Sequence, residues 1–235
     1  LRALVVFVKY PEPGAVKTRL TPFLSPQEAA DLYRAFLLDT MVLTGRVDGI
    51  RRMMAYAPAD ALDALQTLVD TPDIVWFEQT GASLGQRLRA AFDTAFGLGA
   101  QHVAVIGSDS PILPPALIRT AFDRLDTCDV VLGPASDGGY YLAGVARNDT
   151  THVQYPLLFE DIPWSTDAVY ESTVQVVRGC GFSWEALPFW DDVDTPVDLR
   201  RLNERIDALR REGETVLGCH TERVLDTLAA RIAAL

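Results

Sequence analysis

Only two lysines occur in the 235 residues, Lys9 and Lys17, and arginine carries the rest of the positive charge. Acids outnumber bases 32 to 21, for a formal net charge of -11. That balance argues against a protein that grips a nucleic-acid backbone or an anionic membrane surface. A small anionic substrate stays compatible with it, because a local basic cluster or a bound metal reverses the field inside a cleft. Cysteine is scarce as well: Cys128, Cys180 and Cys219 are odd in number and widely spaced, which fits neither a disulfide framework nor a metal-thiolate pattern. His102, His152 and His220 are just as scattered, and the adjacency of Cys219 and His220 is not a ligand spacing by itself. No apolar run approaches the ~18 residues of a membrane span. A chain that opens on Leu1 inside an apolar strand is expected to carry no secretory signal and to work in a reducing, cytoplasmic setting.

What is present is a chain with 49% apolar residues, enough at this length to bury roughly 70% of the surface its unfolded form exposes. Short β-rich runs alternate with longer helical patterns. "ALVVFV" (3–8) reads as a strand, and "SPQEAADLYRAFLLDTMVL" (25–43) as a helix with Ser25 as N-cap, Pro26 at N1 and Glu28 at N3. Strands follow at 51–58, 73–79 and 102–107, with helices at 61–69, 83–99 and 114–125. Then the rhythm changes. "DVVLGPA" and "GGYYLAGV" leave no room for a crossover helix, so these strands are antiparallel or diverge. A helix over 165–179, a strand over 182–188, a helix over 195–211 opened by Thr195 and Pro196, and a last helix over 219–235 complete the pattern. The alternation predicts an α/β fold: a mixed, mainly parallel sheet with helices on both faces. We expect a single domain over 1–235, with the C-terminal helices of 195–235 packed on it.

In such sheets ligands collect beyond the carboxyl ends of the strands. Four post-strand loops carry chemistry there. "KYPEPGAVKTRL" (9–20) holds both lysines: Pro11 and Pro13 stiffen it, Gly14 frees its backbone, and Lys17 and Arg19 offer a point charge and a planar fork to phosphate oxygens. The Gly-x4-Gly-Lys-Ser/Thr spacing of a Walker A loop is absent. In "GSDSP" (107–111), Asp109 is either a turn residue or a ligand for a hard divalent cation. In "GPASDGGYYLAG" (133–144), Asp137, Gly138 and Gly139 form either a tight hairpin turn or a place where Asp137 meets a substrate hydroxyl. In "DDVDT" (191–195), Asp191, Asp192 and Asp194 crowd three carboxylates that repel one another unless exposed or neutralised by a cation. Two weaker segments are "TGASLGQRL" (80–88), read as a helix start with Arg87 one turn in, and "IPWST" (162–166). There Trp164, beside the N-cap candidate Ser165, is either packing or a sugar platform.

The order of "VKYPEPGAVKTRL", "SLGQRL", "VIGSDSP", "GPASDGGYYLAG", "IPWST" and "DVDTPVDL" closely resembles a bacterial family related to the GT-A nucleotide-diphospho-sugar transferases and long catalogued as a domain of unknown function. Some members are described as glycosyltransferases, including in arsenosugar biosynthesis. The resemblance implies a Rossmann-like GT-A core. It implies nucleotide and phosphate binding by Pro13, Gly14, Lys17 and Arg19, a metal ligand at Asp109, and a second acidic ligand at Asp194 or Asp192. It places Asp137, Gly138 and Gly139 on the acceptor side, and Trp164 is grouped with them. Relatives commonly carry Gly-Asp-Leu-Gly where this chain has Ala82-Ser83-Leu84-Gly85. A further relative with a similar loop pattern makes a guanylylated phosphoacid for a deazaflavin cofactor. The resulting expectation is a glycosyltransferase dependent on Mg2+ or Mn2+, using a nucleotide-diphosphate sugar and a small-molecule acceptor, with Asp137 handling the acceptor proton. The alternatives are a nucleotidyltransferase that releases pyrophosphate from an NTP, or a catalytically silent nucleotide-binding protein.

Overall fold

The computed structural model describes residues 1–21, 23–213 and 218–233. Seven strands form one sheet: β1 (Arg2–Lys9), β2 (Ile50–Ala57), β3 (Val75–Glu78), β4 (His102–Ile106), β5 (Val130–Pro134), β6 (Tyr140–Ala146) and β7 (Trp184–Ala186). Their order across the sheet is β3-β2-β1-β4-β6-β5-β7. All neighbours are parallel except β6, which runs antiparallel to both β4 and β5. Only residues 135–139 join β5 to β6, a connection too short for a parallel return, so the two pair as a hairpin. The antiparallel β6 therefore begins at the sheet edge where β1, β4 and β5 end.

The helices are α1 (Pro26–Thr44), α2 (Leu62–Val69), α3 (Leu84–Gly97), α4 (Pro115–Leu125), α5 (Thr151–Gln154), α6 (Val169–Gly179), α7 (Pro196–Arg211) and α8 (Cys219–Ile232). The central strand β1 has no polar alternation because both of its faces are covered. Leu4, Val6 and Val8 enter a core shared with α1, α2, α4, α7 and α8. Ala3 and Val5 enter the opposite core, built with α3 and α6. α7 and α8 are held on the first core by Leu199, Leu202, Ile206, Leu225, Leu228 and Ile232.

Helix starts follow local chemistry closely. Ser25 and Glu28 exchange the two hydrogen bonds of a capping box at α1, and Thr195 and Asp198 do the same at α7. The helix expected from 165 starts only at Val169, because Ser165 adopts a left-handed φ of 66° that an N-cap residue does not use. The strand expected over 182–188 shortens to three residues. Beyond it the chain still runs beside β5, with Leu187 N–H donating to Leu132 O (2.8 Å) and Trp190 N–H to Pro134 O (3.2 Å). The last helix ends at Ile232, and positions 234–235 of its expected span lie outside the described residues.

Candidate functional site

A cavity of about 640 Å³ opens over the carboxyl ends of β1 and β4, and Lys17 is its organising side chain. Lys17 sits in the left-handed conformation (φ 49°) ahead of a short turn of helix. Its ammonium turns inward, with only 4% of the side chain exposed. Lys17 Nζ donates to Asp109 Oδ1 at 2.6 Å, Asp194 Oδ1 at 2.9 Å and Val193 O at 2.7 Å. Burial alone would lower the Lys17 pKa. The charges and hydrogen bonds of Asp109 and Asp194 outweigh it and hold the ammonium well above the usual lysine range. Arg19 stays 69% exposed, with Nη1 3.7 Å from Asp194 Oδ2. Asp109 and Asp194, separated by 85 positions, thus meet on one cation of the chain itself.

The surrounding loops are laced by backbone bonds. Val193 N–H donates to Asp109 O (3.1 Å), and Ser110 Oγ donates to Asp191 O (3.2 Å). Asp191 turns away from the cavity and accepts from Ser136 N–H (3.3 Å). Asp192 lines the cavity; burial, followed by the charges of Asp194, Asp137 and Asp109, pushes its carboxyl up to about 7. Tyr33 Oη, buried beneath the loop after β4, meets Ser108 Oγ at 2.7 Å and accepts from Lys9 N–H at 3.0 Å. Ser108 Oγ also donates to Phe7 O, so the ends of β1 and β4 are tied together under Asp109. Burial pushes the Tyr33 phenol up to about 12, leaving it a neutral hydrogen-bonding group.

The other expected residues fall outside the cavity lining. Pro13 and Gly14 occupy the centre of a turn closed by Ala15 N–H on Glu12 O (3.0 Å), with Gly14 at φ 82°. That residue order suits a type II turn. Asp137 Oδ1 accepts from Gly139 N–H (2.8 Å), an Asx turn inside its own loop. Gly138, at φ 84°, presses against the 162–168 segment so closely that an added Cβ would lie 2.0 Å from Asp167 O. Trp164 packs edge-on to the Tyr140 ring, with centroids 6.3 Å apart. Sequence reasoning did not pick out Tyr33, Gln79, Tyr140 or Tyr141 as lining residues. The first reads as part of an apolar helix face, and the others carry no spacing signal.

One further group of ligand atoms lies elsewhere. Asp39, Cys219 and His220 approach within 4.8 Å of one another at the start of α8. Asp39 is fully buried, and its two oxygens accept from His220 N–H (3.0 Å) and Thr221 N–H (2.7 Å), so capping of α8 accounts for it. No helix among the described residues is long and apolar enough to cross a membrane.

Relatives carry the same architecture. A proposed nucleotide-diphospho-sugar transferase from Desulfovibrio desulfuricans G20 is 34% identical, with a TM-score of 0.87 over 99% of this chain and 97% of its own. The 2-phospho-L-lactate guanylyltransferase of Methanothermobacter thermautotrophicus is 32% identical over 127 residues, 52% of this chain, and this chain spans only 53% of that relative's length. Rv0371c of Mycobacterium tuberculosis H37Rv, solved as a manganese complex, shares the fold at 19% identity, with a TM-score of 0.51 over 86% of this chain and 97% of its own. The family described as an uncharacterized protein conserved in bacteria, DUF2064, matches residues 40–166. With that match spanning more than half of the chain, and with the whole sheet and its helices shared with a nucleotide-diphospho-sugar-transferase-like relative, this protein belongs to the DUF2064 family.

Proposed function

We propose that this chain is a transferase that handles a nucleotide substrate with the help of a divalent cation, and that it transfers the nucleotidyl group of an NTP to a small acidic acceptor. The observation that carries this reading is the Lys17 ammonium buried between Asp109 and Asp194, with Asp192 in the same cavity. An acidic chain that places one of its two lysines there has built a site for alternating charge. The donor set fits a hard cation: three carboxylates supply oxygen ligands, and the mutual repulsion that burdens Asp192 is relieved by bound positive charge. Asp109, Asp192 and Asp194 would hold Mg2+ or Mn2+, which when bound neutralises charge on phosphate oxygens. The manganese complex of Rv0371c lends support to that choice.

The chain's own residues do the rest. Lys17 directs a buried positive charge at the cavity, and Arg19 brings a mobile fork from its rim to a phosphate. The Pro13–Gly14 turn sets the path of the loop that carries both. Asp137 keeps one oxygen on its own turn and offers the other to orient an acceptor group, with Gly138 and Gly139 shaping that side and Trp164 backing Tyr140.

Nucleotidyl transfer is favoured by the guanylyltransferase relative. Glycosyl transfer from a nucleotide-diphosphate sugar is the second reading, favoured by the Desulfovibrio protein, whose likeness covers nearly the whole chain. Product analysis separates them. Nucleoside triphosphates and nucleotide sugars are incubated with Mn2+ and a panel of phosphorylated and carboxylic small molecules. Pyrophosphate release supports the first reading, nucleoside diphosphate release the second. Tight nucleotide binding with neither product contradicts both and leaves a binding protein.

A further inference from the structure

We infer that Asp39, Cys219 and His220 form a metal site of their own, suited to Zn2+, that pins the start of α8 to α1. None of the three lines the cavity over β1 and β4, so the inference goes beyond the proposed transfer reaction and does not depend on it. Ligand atoms of the three side chains lie within 4.8 Å of one another. Adjacent residues do not face each other inside a helix, but Cys219 and His220 open α8, and there both reach Asp39. Gly218 permits the approach: a Cβ on it would lie 2.8 Å from Ile112 Cγ2 and 3.6 Å from Asp39 Oδ2.

Capping explains where Asp39 sits and leaves the rest open. Asp39 is 0% exposed, and its partners are neutral: His220 N–H, Thr221 N–H and, at 3.9 Å, the Cys219 thiol. A wholly buried carboxylate without a cation is costly. An ionised carboxylate has about four lone-pair sites, so the two backbone bonds leave each oxygen able to bind a metal. Capping also gives no role to the Cys219 sulfur or the His220 ring. A further polar atom at the same turn lacks a partner: Thr221 Oγ1 is buried and makes no hydrogen bond among the described residues. Sulfur, imidazole nitrogen and carboxylate oxygen together are a borderline donor set, which selects Zn2+ over the hard Mg2+ that all-oxygen clusters take. Zinc bonds of about 2.0–2.3 Å bring ligand atoms to roughly 3–4 Å from one another, so binding closes the present spread by about 1 Å. His220 is partly exposed, and a turn of its ring supplies that movement. On binding, the Cys219 thiol loses its proton to solvent and its sulfur bonds as the thiolate, with the fourth tetrahedral position left to water.

The test is a Co2+ titration of the full chain, with Mg2+ in excess to fill the carboxylate cluster, followed by Zn2+ competition and melting curves. Co2+ takes the same ligands and reports a bound thiolate by a sulfur-to-cobalt charge-transfer band in the near ultraviolet. The wild type is expected to show that band, to lose it when Zn2+ displaces Co2+, and to melt at a higher temperature in Zn2+. Cys219→Ser should abolish the band, and His220→Ala should weaken Zn2+ binding by at least ~10-fold. Both side chains are partly exposed, so the circular dichroism of the metal-free variants should match that of the wild type. A wild type without the charge-transfer band, a band that survives Cys219→Ser, or a Zn2+ affinity unchanged in His220→Ala overturns the inference. Each of those results leaves the nucleotide reading standing, since nucleotide binding in Mn2+ is measured separately.

Discussion

Two aspartate-bearing loops meet near the same sheet edge and are held in opposite ways. The 190–195 loop sends Asp194 out of its own segment to a lysine 177 positions away, and its backbone grips Asp109. The 134–139 loop keeps Asp137 on its own turn and is fixed by backbone: Gly138 lies against Asp167, and Gly138 O accepts from Tyr170 N–H at 2.8 Å. An acid that reaches across the fold to a buried cation is held by electrostatics, so its cluster is expected to respond to ions and pH. An acid that closes its own turn is held by geometry and frames whatever binds beside it.

That contrast can be broken first at Gly138. Gly138→Ala forces a side chain into a left-handed backbone and against Asp167 O, so it is expected to cost about 3 kcal/mol of stability. Gly14→Ala has a similar φ but open space around the new Cβ, and about 1 kcal/mol is expected. Denaturant unfolding compares the two; equal losses would mean that the approach to Asp167 is not what holds the loop.

Lys17→Ala comes next. It leaves two carboxylates facing each other, and because these are 40% and 37% exposed, solvent softens the loss to about 2 kcal/mol. Arg19→Ala, on an exposed side chain, should stay within about 0.5 kcal/mol. Indistinguishable melting curves for the two variants would dissolve the distinction between buried counter-ion and surface charge.

A smaller effect is expected with pH. The folded Asp192 pKa of about 7 lies above the ordinary 3.8, so ionisation of Asp192 opposes folding. The penalty is absent below about pH 4, grows through the interval and is complete above about pH 7. In chelator, Asp192→Asn should therefore gain stability over the wild type at pH 8 and little at pH 5. A gain that is larger at pH 5 has the wrong sign for this account.

The smallest expected effect on stability is that of Asp137→Asn, within about 0.5 kcal/mol, since asparagine keeps the Asx turn. If the second carboxylate oxygen orients the acceptor, turnover falls by ~10²-fold in the same variant with nucleotide binding intact. Unchanged turnover would make Asp137 a framing residue alone.

Local rules made much of the fold legible. Ser25, Pro26 and Glu28 announce α1 because capping is settled within four residues, and Thr195 and Pro196 do the same for α7. The absence of a crossover between β5 and β6 predicted their hairpin. The meeting of Asp109 with Asp194 was also legible, from their positions after parallel strands. What local pattern hides is tertiary. Tyr33 lies among apolar neighbours on α1, and only the fold shows its hydroxyl beneath Ser108. Gln79 gains its fixed amide from carbonyls of two strands distant in sequence. Ser165 looked like a helix cap because nothing nearby reveals the left-handed turn it occupies.

The central claim is that the Lys17–Asp109–Asp194 cluster is a nucleotide-phosphate site that needs positive charge from both the chain and a cation. Titration calorimetry of GTP into the wild type and Lys17→Ala, each in Mn2+ and in EDTA, tests it most directly. The account predicts binding by the wild type in Mn2+, weakened at least ~10-fold by EDTA and by the substitution separately. Equal affinity in all four titrations would contradict it.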